Sequence, residues 1–370
     1  MDNSQVYSPR ARPVMTESKG KVAIIGSGLI GSCWATLFVN AGYSVCLYDI
    51  SAEQLDVALR TITRNLEKLE NEGLSRRDET TEQVMKHITT TLRLEDALHG
   101  AIYAQESTSE SVEFKRKIFS EMDKFASEEV ILASSTSTIP ASNFTEGLKH
   151  RTRCLVAHPV NPPLYLSLVE VVPAPWTTEA VVERTCEILK TIGQEPVRLN
   201  REVLGFAVNR LQYALLAEAW RLVADKVMSP EDVDKVTYFY EQHGKCRGRV
   251  ARSAIPAGTV VDRSLSGTGW FFHRSLVMSS GLGPRYAFLG PLQTVHLNAN
   301  GIRDYFARYG DGIRRVLADL GPTPTFTEPA VLDVMERSLN DNMPLERLAS
   351  LKALREENLA RLARLKKKLD

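Results

Sequence analysis

His158 and Glu170 are the residues of this chain whose types and spacing most directly suggest chemistry. His158 opens the segment His158-Pro-Val-Asn161-Pro-Pro, directly after a short apolar run, Cys154 to Ala157, that reads as a strand. An imidazole at the carboxyl edge of a sheet stands where ligands of open α/β proteins bind. Histidine is also the side chain suited to accepting a proton near neutrality. When an alcohol carbon loses hydride its hydroxyl proton must leave too, so His158 is a candidate general base for alcohol oxidation. Glu170 interrupts the apolar strand Leu168 to Val172, a costly placement for a carboxylate unless its charge is paired. Twelve residues are enough for a loop and a return strand, so Glu170 is expected to orient the ring and stabilise the imidazolium. A surface histidine and an edge-strand glutamate are the plain alternative.

A second group of polar residues ends another apolar run. Ala133-Ser-Ser-Thr-Ser137-Thr follows the strand signal Val130 to Ala133. Its hydroxyls are placed to hydrogen-bond a reacting oxygen, or simply to cap the next helix. Asn209 lies early in a later helical stretch, facing either a cleft or a domain seam.

The cofactor signal is more specific. Lys21 to Ile25, rich in β-branched residues, runs into Gly26-Ser-Gly28-Leu29-Ile30-Gly31 and then a helical pattern through Ala41. A second strand, Ser44 to Tyr48, ends on Asp49, eighteen residues beyond Gly31. In a βαβ unit the first glycine permits the turn, the second lets the backbone approach a pyrophosphate, and the third lets helix pack on strand. The helix N-terminus then stabilises the phosphate charge. Asp49 can accept hydrogen bonds from ribose hydroxyls and would repel a 2′-phosphate, which favours NAD over NADP. The competing reading is a glycine turn of another α/β fold, with Asp49 capping the following helix.

The elements that would position these groups alternate. A long, mostly polar helical region is expected from Ser51 to about Glu95, then strands at Val130 to Ala133, Cys154 to Ala157 and Leu168 to Val172. A helix at Thr178 to Ile192 and a last strand at Glu195 to Leu199 complete the pattern. Such alternation predicts an N-terminal Rossmann-type, doubly wound, mainly parallel sheet over residues 20–203. From Leu204 the strand signals fade and helices dominate, beginning at Val208 to Val227, so an all-α C-terminal domain is expected over residues 204–335. Residues 336–370 are expected to form a helical tail, with Leu and Ala at helical spacing from Leu345 to Leu369 and cationic residues in the last turn.

The chain has 370 residues, 43% hydrophobic and 25% charged, which permits two cores. A formal net charge of +1 gives no global field to recruit nucleic acid or an anionic membrane, so a small-molecule substrate is expected. Five scattered cysteines without a Cys-x-x-Cys spacing argue against a disulfide framework or a zinc site and fit a cytoplasmic location. Residues 1–19 lack the apolar core of a secretion signal and read as a disordered leader.

Taken together, GSGLIGSCWA, LYDI, SSTST, VAHPVNPP, LVEVVP, GFAVNRLQYA and GLGPRYAFLGPL resemble the 3-hydroxyacyl-CoA dehydrogenase family. More narrowly they resemble its lambda-crystallin branch, whose members act as L-gulonate 3-dehydrogenases. The resemblance covers about residues 20–235 and 277–370. It implies a catalytic pair on His158 and Glu170, a substrate-hydroxyl partner on Ser137 and an orienting amide on Asn209. It also implies cofactor contacts on Glu110 and Lys115, which otherwise read as solvated helix charges. In the segment around Arg285 the acyl-CoA enzymes lack an arginine and the lambda-crystallin branch carries one. A guanidinium fork suits the carboxylate of an aldonate, with a surface ion pair as the alternative for Arg285. The implied reaction is L-gulonate plus NAD to 3-dehydro-L-gulonate plus NADH, in a homodimer built on the helical domain. Acyl-CoA and carnitine dehydrogenases share the same catalytic residues, and a structural lens-crystallin role would leave them unused. One segment, Val236 to Leu276, has no counterpart in the family pattern, carries more bases than acids and follows neither the helix nor the strand period. It is expected to be an insertion.

Overall fold

The structure, a computed structural model, describes residues 18–237 and 291–321, with Pro329, Asp333, Arg347 and Ser350 beyond them. The leader up to residue 17, most of the 236–276 insertion, Arg285 and all of the expected C-terminal helical tail except Arg347 and Ser350 lie outside the described residues. The chain divides into two compact units, one up to Asn209 and one from Arg210.

The first unit is built on an eight-stranded sheet in the order β3-β2-β1-β4-β5-β6-β7-β8. Its strands are β1 (Lys21–Ile25), β2 (Ser44–Tyr48), β3 (Ile88–Thr91), β4 (Ala101–Glu106), β5 (Ile131–Ser134), β6 (Cys154–Pro159), β7 (Leu168–Pro173) and β8 (Glu195–Arg198). Every pair is parallel except β6 with β7. The order turns back between β1 and β4, the switch point at which open α/β sheets bind ligands. Helices α1 (Leu29–Asn40), α2 (Ala52–Asn71) and α7 (Glu179–Thr191) cover one face, and α4 (Leu94–Leu98) and α5 (Val112–Phe125) the other; short α3 (Thr81–Met85) and α6 (Ser142–Thr145) complete the unit. The period-2 alternation explains this double winding. Val22 and Ile24 of β1 join Trp34, Phe38 and Ile62 in one core, whereas Ala23 and Ile25 join Leu98, Phe119 and Met122 in the other. Each buried Val, Leu, Ile, Phe or Met side chain among them contributes about 1.5–3 kcal/mol relative to exposure.

Two strands differ from expectation. The region from Ser51 to Glu95 is not helical throughout: α2 stops at Asn71, and β3 pairs with β2 at the sheet's edge. Its sequence, Ile-Thr-Thr-Thr, carries β-branched residues but only one large apolar one, so periodicity gives no core face to detect. β4 is a central strand that ends in the wholly buried Gln105 and Glu106. These polar residues break the apolar run by which a buried parallel strand is recognised, and tertiary hydrogen bonds satisfy them instead.

The described part of the second unit is helical, as expected for an all-α domain. It contains α8 (Val208–Ala224), whose first residues belong to the first unit, together with α9 (Pro230–Thr237), α10 (Pro291–Leu297) and α11 (Ile302–Ala318). The helix α9 runs two residues into the segment read as an insertion. Trp220 and Phe306 pack edge to face with centroids 5.2 Å apart. The buried Asp234 accepts from the amide of Leu292 at 2.9 Å and so holds the start of α10. No described helix is long and apolar enough to cross a membrane.

Candidate active site

The glycine turn between β1 and α1 is tightly constrained. Gly26 has φ +97°, in the region L side chains rarely adopt, and a β-carbon there would come within 2.8 Å of the Ser107 carbonyl oxygen. A β-carbon on Gly31 would collide with the Gly26 carbonyl oxygen. Gly28 is different, because a β-carbon on it would meet nothing within 4 Å. Its absence therefore serves something the chain itself does not supply, a close approach of ligand to backbone. Gly28 is also the N-cap of α1 and offers no side chain to the amides of Leu29, Ile30 and Gly31, which leaves the positive end of the helix open to an anion. Leu29 stands exposed at this rim.

A cavity of about 420 Å³ opens here, lined by Gly26, Ser27, Gly28, Asp49, Gln54 and Ser107 among others. Asp49 Oδ2 accepts from the Ser27 amide at 2.9 Å and the Ser27 hydroxyl at 2.7 Å; Oδ1 accepts from Ile50 N at 2.8 Å. Gln54 donates to the Ser27 carbonyl oxygen at 3.2 Å. The glycine turn is thus tied to the end of β2, where a dinucleotide's ribose would lie. The missing β-carbon at Gly28, the uncapped helix and the acid at the end of β2 fit a dinucleotide.

His158 does not follow β6, as its sequence position suggests, but lies within it. It is directly opposite Glu170 in the antiparallel register of β6 and β7. His158 Nδ1 and Glu170 Oε2 are 2.7 Å apart. The other oxygen, Oε1, accepts from the amides of Ala207 at 2.7 Å and Val208 at 2.9 Å, where the chain enters α8. Two amides that can only donate make Oε1 an acceptor, and Oε2 of the carboxylate is placed to accept an Nδ1 proton, the tautomer of a neutral imidazole in which Nε2 carries the lone pair. Glu170 is fully buried and His158 nearly so. The turn that aims the two amides passes through Gly205, φ +76°, and Phe206, φ +51°. A non-glycine residue in that region costs about 1–3 kcal/mol, and the buried Phe206 ring lies 5.9 Å from the imidazole.

Ser137 and Asn209 come together: Asn209 Nδ2 donates to the Ser137 carbonyl oxygen at 2.8 Å. The Ser137 hydroxyl meets Glu110 Oε1 at 3.2 Å, and the same oxygen accepts from Ser137 N at 3.0 Å and Thr136 Oγ1 at 2.7 Å. Glu110 therefore ties the hydroxyl-rich turn to the start of α5. Lys115 is not a solvated helix charge. It is 1% exposed, with Nζ 3.0 Å from both oxygens of Glu106 and 3.7 Å from Glu110. Glu106 also accepts from Thr108 N at 2.6 Å and from the hydroxyls of Thr108 and Ser134. The sequence reading missed Glu106 and Phe206. An acid closing an apolar strand was the available signal for Glu106, and nothing marked Phe206.

The chain matches the family described as 3-hydroxyacyl-CoA dehydrogenase, NAD binding domain, over residues 21–203, and the corresponding C-terminal domain over residues 205–241. It is 42% identical over 356 residues to the lambda-crystallin homolog of Bos taurus, spanning 96% of this chain and 98% of that protein. An L-carnitine dehydrogenase of Oceanobacillus iheyensis is 36% identical over 220 residues, 59% of this chain and 70% of the relative. Among solved structures, 3-hydroxybutyryl-CoA dehydrogenase from Escherichia coli aligns with a TM-score of 0.61 at 26% identity, covering 82% of this chain and 53% of that one.

Proposed function

The chain belongs to the 3-hydroxyacyl-CoA dehydrogenase family, in its lambda-crystallin branch, and is an NAD-dependent dehydrogenase; from that premise we propose that it oxidises the 3-hydroxyl of L-gulonate to 3-dehydro-L-gulonate. The observation that carries the alcohol-oxidation chemistry is the pairing of His158 with Glu170, while the choice of L-gulonate rests on the likeness to the lambda-crystallin homologs. An imidazole whose Nδ1 proton is held by a buried carboxylate presents Nε2 as a base. Bound NAD supplies the hydride acceptor. His158 Nε2 takes the hydroxyl proton as the carbon–hydrogen bond breaks, so alcohol and NAD give ketone and NADH, and the proton leaves later to water. Glu170 keeps the ring in the reactive tautomer and stabilises the imidazolium. Ser137, held by Glu110 and Asn209, is the hydrogen-bond partner for the reacting oxygen, and Arg285 is the partner for the substrate carboxylate.

The test is NADH formation by the full chain with L-gulonate, 3-hydroxybutyryl-CoA and L-carnitine in parallel, with His158→Gln as control. Turnover of L-gulonate that the substitution abolishes supports the reading. Preference for the thioester or for the quaternary ammonium substrate would overturn the substrate assignment. Equal turnover by His158→Gln would overturn the assignment of the base.

A further inference from the structure

A buried polar network lies between the cofactor cavity and the strand that carries His158, and its hydrogen-bond directions follow from atom types alone. Gln105, on β4, is fully buried. Its Nε2 is 3.3 Å from the Ala157 carbonyl oxygen, which can only accept, so the amide orientation is determined. Nε2 also donates to Ser135 Oγ at 2.7 Å, and Oε1 accepts from the Tyr103 hydroxyl at 2.6 Å. Burial holds the Tyr103 phenol far above its ordinary range, so it stays protonated and remains a donor.

Ser135 Oγ receives a second proton from Trp34 Nε1 at 3.0 Å, a group that cannot accept. Both lone pairs of Ser135 Oγ are then filled. Its remaining neighbour is Ser107 Oγ at 2.9 Å, so the Ser135 proton goes to Ser107. Ser107 accepts there and keeps its own proton, for which no described residue offers an acceptor. Ser107 follows β4 at the switch point, half-buried, and lines the 420 Å³ cavity beside Gly26.

We propose that Ser107 is a cofactor-binding residue whose hydroxyl proton is aimed into the cavity by Tyr103, Gln105, Trp34 and Ser135 and donates to an oxygen of bound NAD. Gln105 and Ser135 act through it as positioning residues. The network also reaches the peptide oxygen next to His158, so the strand carrying the base and the residue contacting the dinucleotide share one set of hydrogen bonds.

The experiment is titration of the full chain with NADH, followed by fluorescence and independent of any substrate. Ser107→Ala removes one hydrogen bond and is expected to weaken NADH about two- to twelvefold. Ser107→Cys, which keeps the volume but has a weak donor, is expected to do the same, and serves if the alanine variant unfolds. Ser135→Ala leaves Ser107 undirected and is expected to weaken NADH by less. In the Ser107→Ala background it adds nothing, whereas a merely structural role would make the losses add. In the apo protein, Ser135→Ala is also expected to shift the Trp34 indole proton resonance. Unchanged NADH affinity in folded Ser107→Ala or Ser107→Cys, or additive losses in the double variant, would overturn the proposal.

Discussion

Glu106, at the end of β4, and Glu170, in the middle of β7, are both fully buried, and both accept backbone amides that hold the carboxylate in place. Their partners separate them. Glu106 faces the ammonium of Lys115, itself buried and bonded to both oxygens, with the Thr108 and Ser134 hydroxyls closing the remaining directions. Among the described residues, both oxygens of Glu106 and the Lys115 ammonium are taken up within that cluster. Glu170 faces an imidazole, and among the described residues only one of the ring's two nitrogens is engaged. The same device, a carboxylate taken out of water and then paired, locks a turn in one place and, on the proposed function, poises a base in the other.

The sharpest way to break the comparison is Glu170→Gln. The amide oxygen would turn to the Ala207 and Val208 amides, its NH2 would point at Nδ1, and the ring proton would move to Nε2. The base would be lost while the packing stays. Turnover is expected to fall about 10²- to 10⁴-fold, as for His158→Gln, with a small change in melting temperature. A Glu170→Gln enzyme that keeps parental kcat would refute the role of the tautomer.

At the other carboxylate the expected effect is on stability. Lys115→Met leaves Glu106 buried without its cation, and breaking such a pair costs about 3–5 kcal/mol. Replacing both, Lys115→Met with Glu106→Gln, is expected to recover part of that loss. Denaturant unfolding of the parent and the two variants checks this. A single variant as stable as the parent would show that the pair is not what holds the turn.

These two sites were not equally legible from sequence. The pair of His158 and Glu170 was visible because each residue breaks or ends an apolar run and the spacing between them allows a hairpin. Which oxygen binds what was not visible, since the Ala207 and Val208 amides arrive through the left-handed turn at Phe206. The glycine motif and Asp49 were legible because backbone geometry forces residue types there. β4 was illegible for the same reason that it matters. Gln105 is satisfied by partners far away in sequence, Ser135 and Ala157, and Glu106 by Lys115 on the next helix, and a periodicity reading sees only two polar residues. Lys115 read as a surface charge because of its residue type, although helical spacing places it on the buried stripe of α5 with Phe119 and Met122.

The smallest expected effect lies at a third carboxylate, Asp49, which is engaged neither with a buried cation nor with an imidazole. Its oxygens already accept from Ser27 N, Ser27 Oγ and Ile50 N, with Ser51 N more distant at 3.3 Å. A ribose hydroxyl arriving there exchanges with donors already present rather than filling an empty acceptor. Asp49→Asn should therefore weaken NADH only about two- to twelvefold, the range of an ordinary hydrogen bond rather than a charged one. Affinity for NADPH should fall less than affinity for NADH, because the substitution also removes the repulsion of a 2′-phosphate. Parallel titrations of both nucleotides decide it. A loss of NADH affinity beyond a hundredfold would mean that ribose finds Asp49 unoccupied, and that Ser27 turns away from it when the cofactor enters.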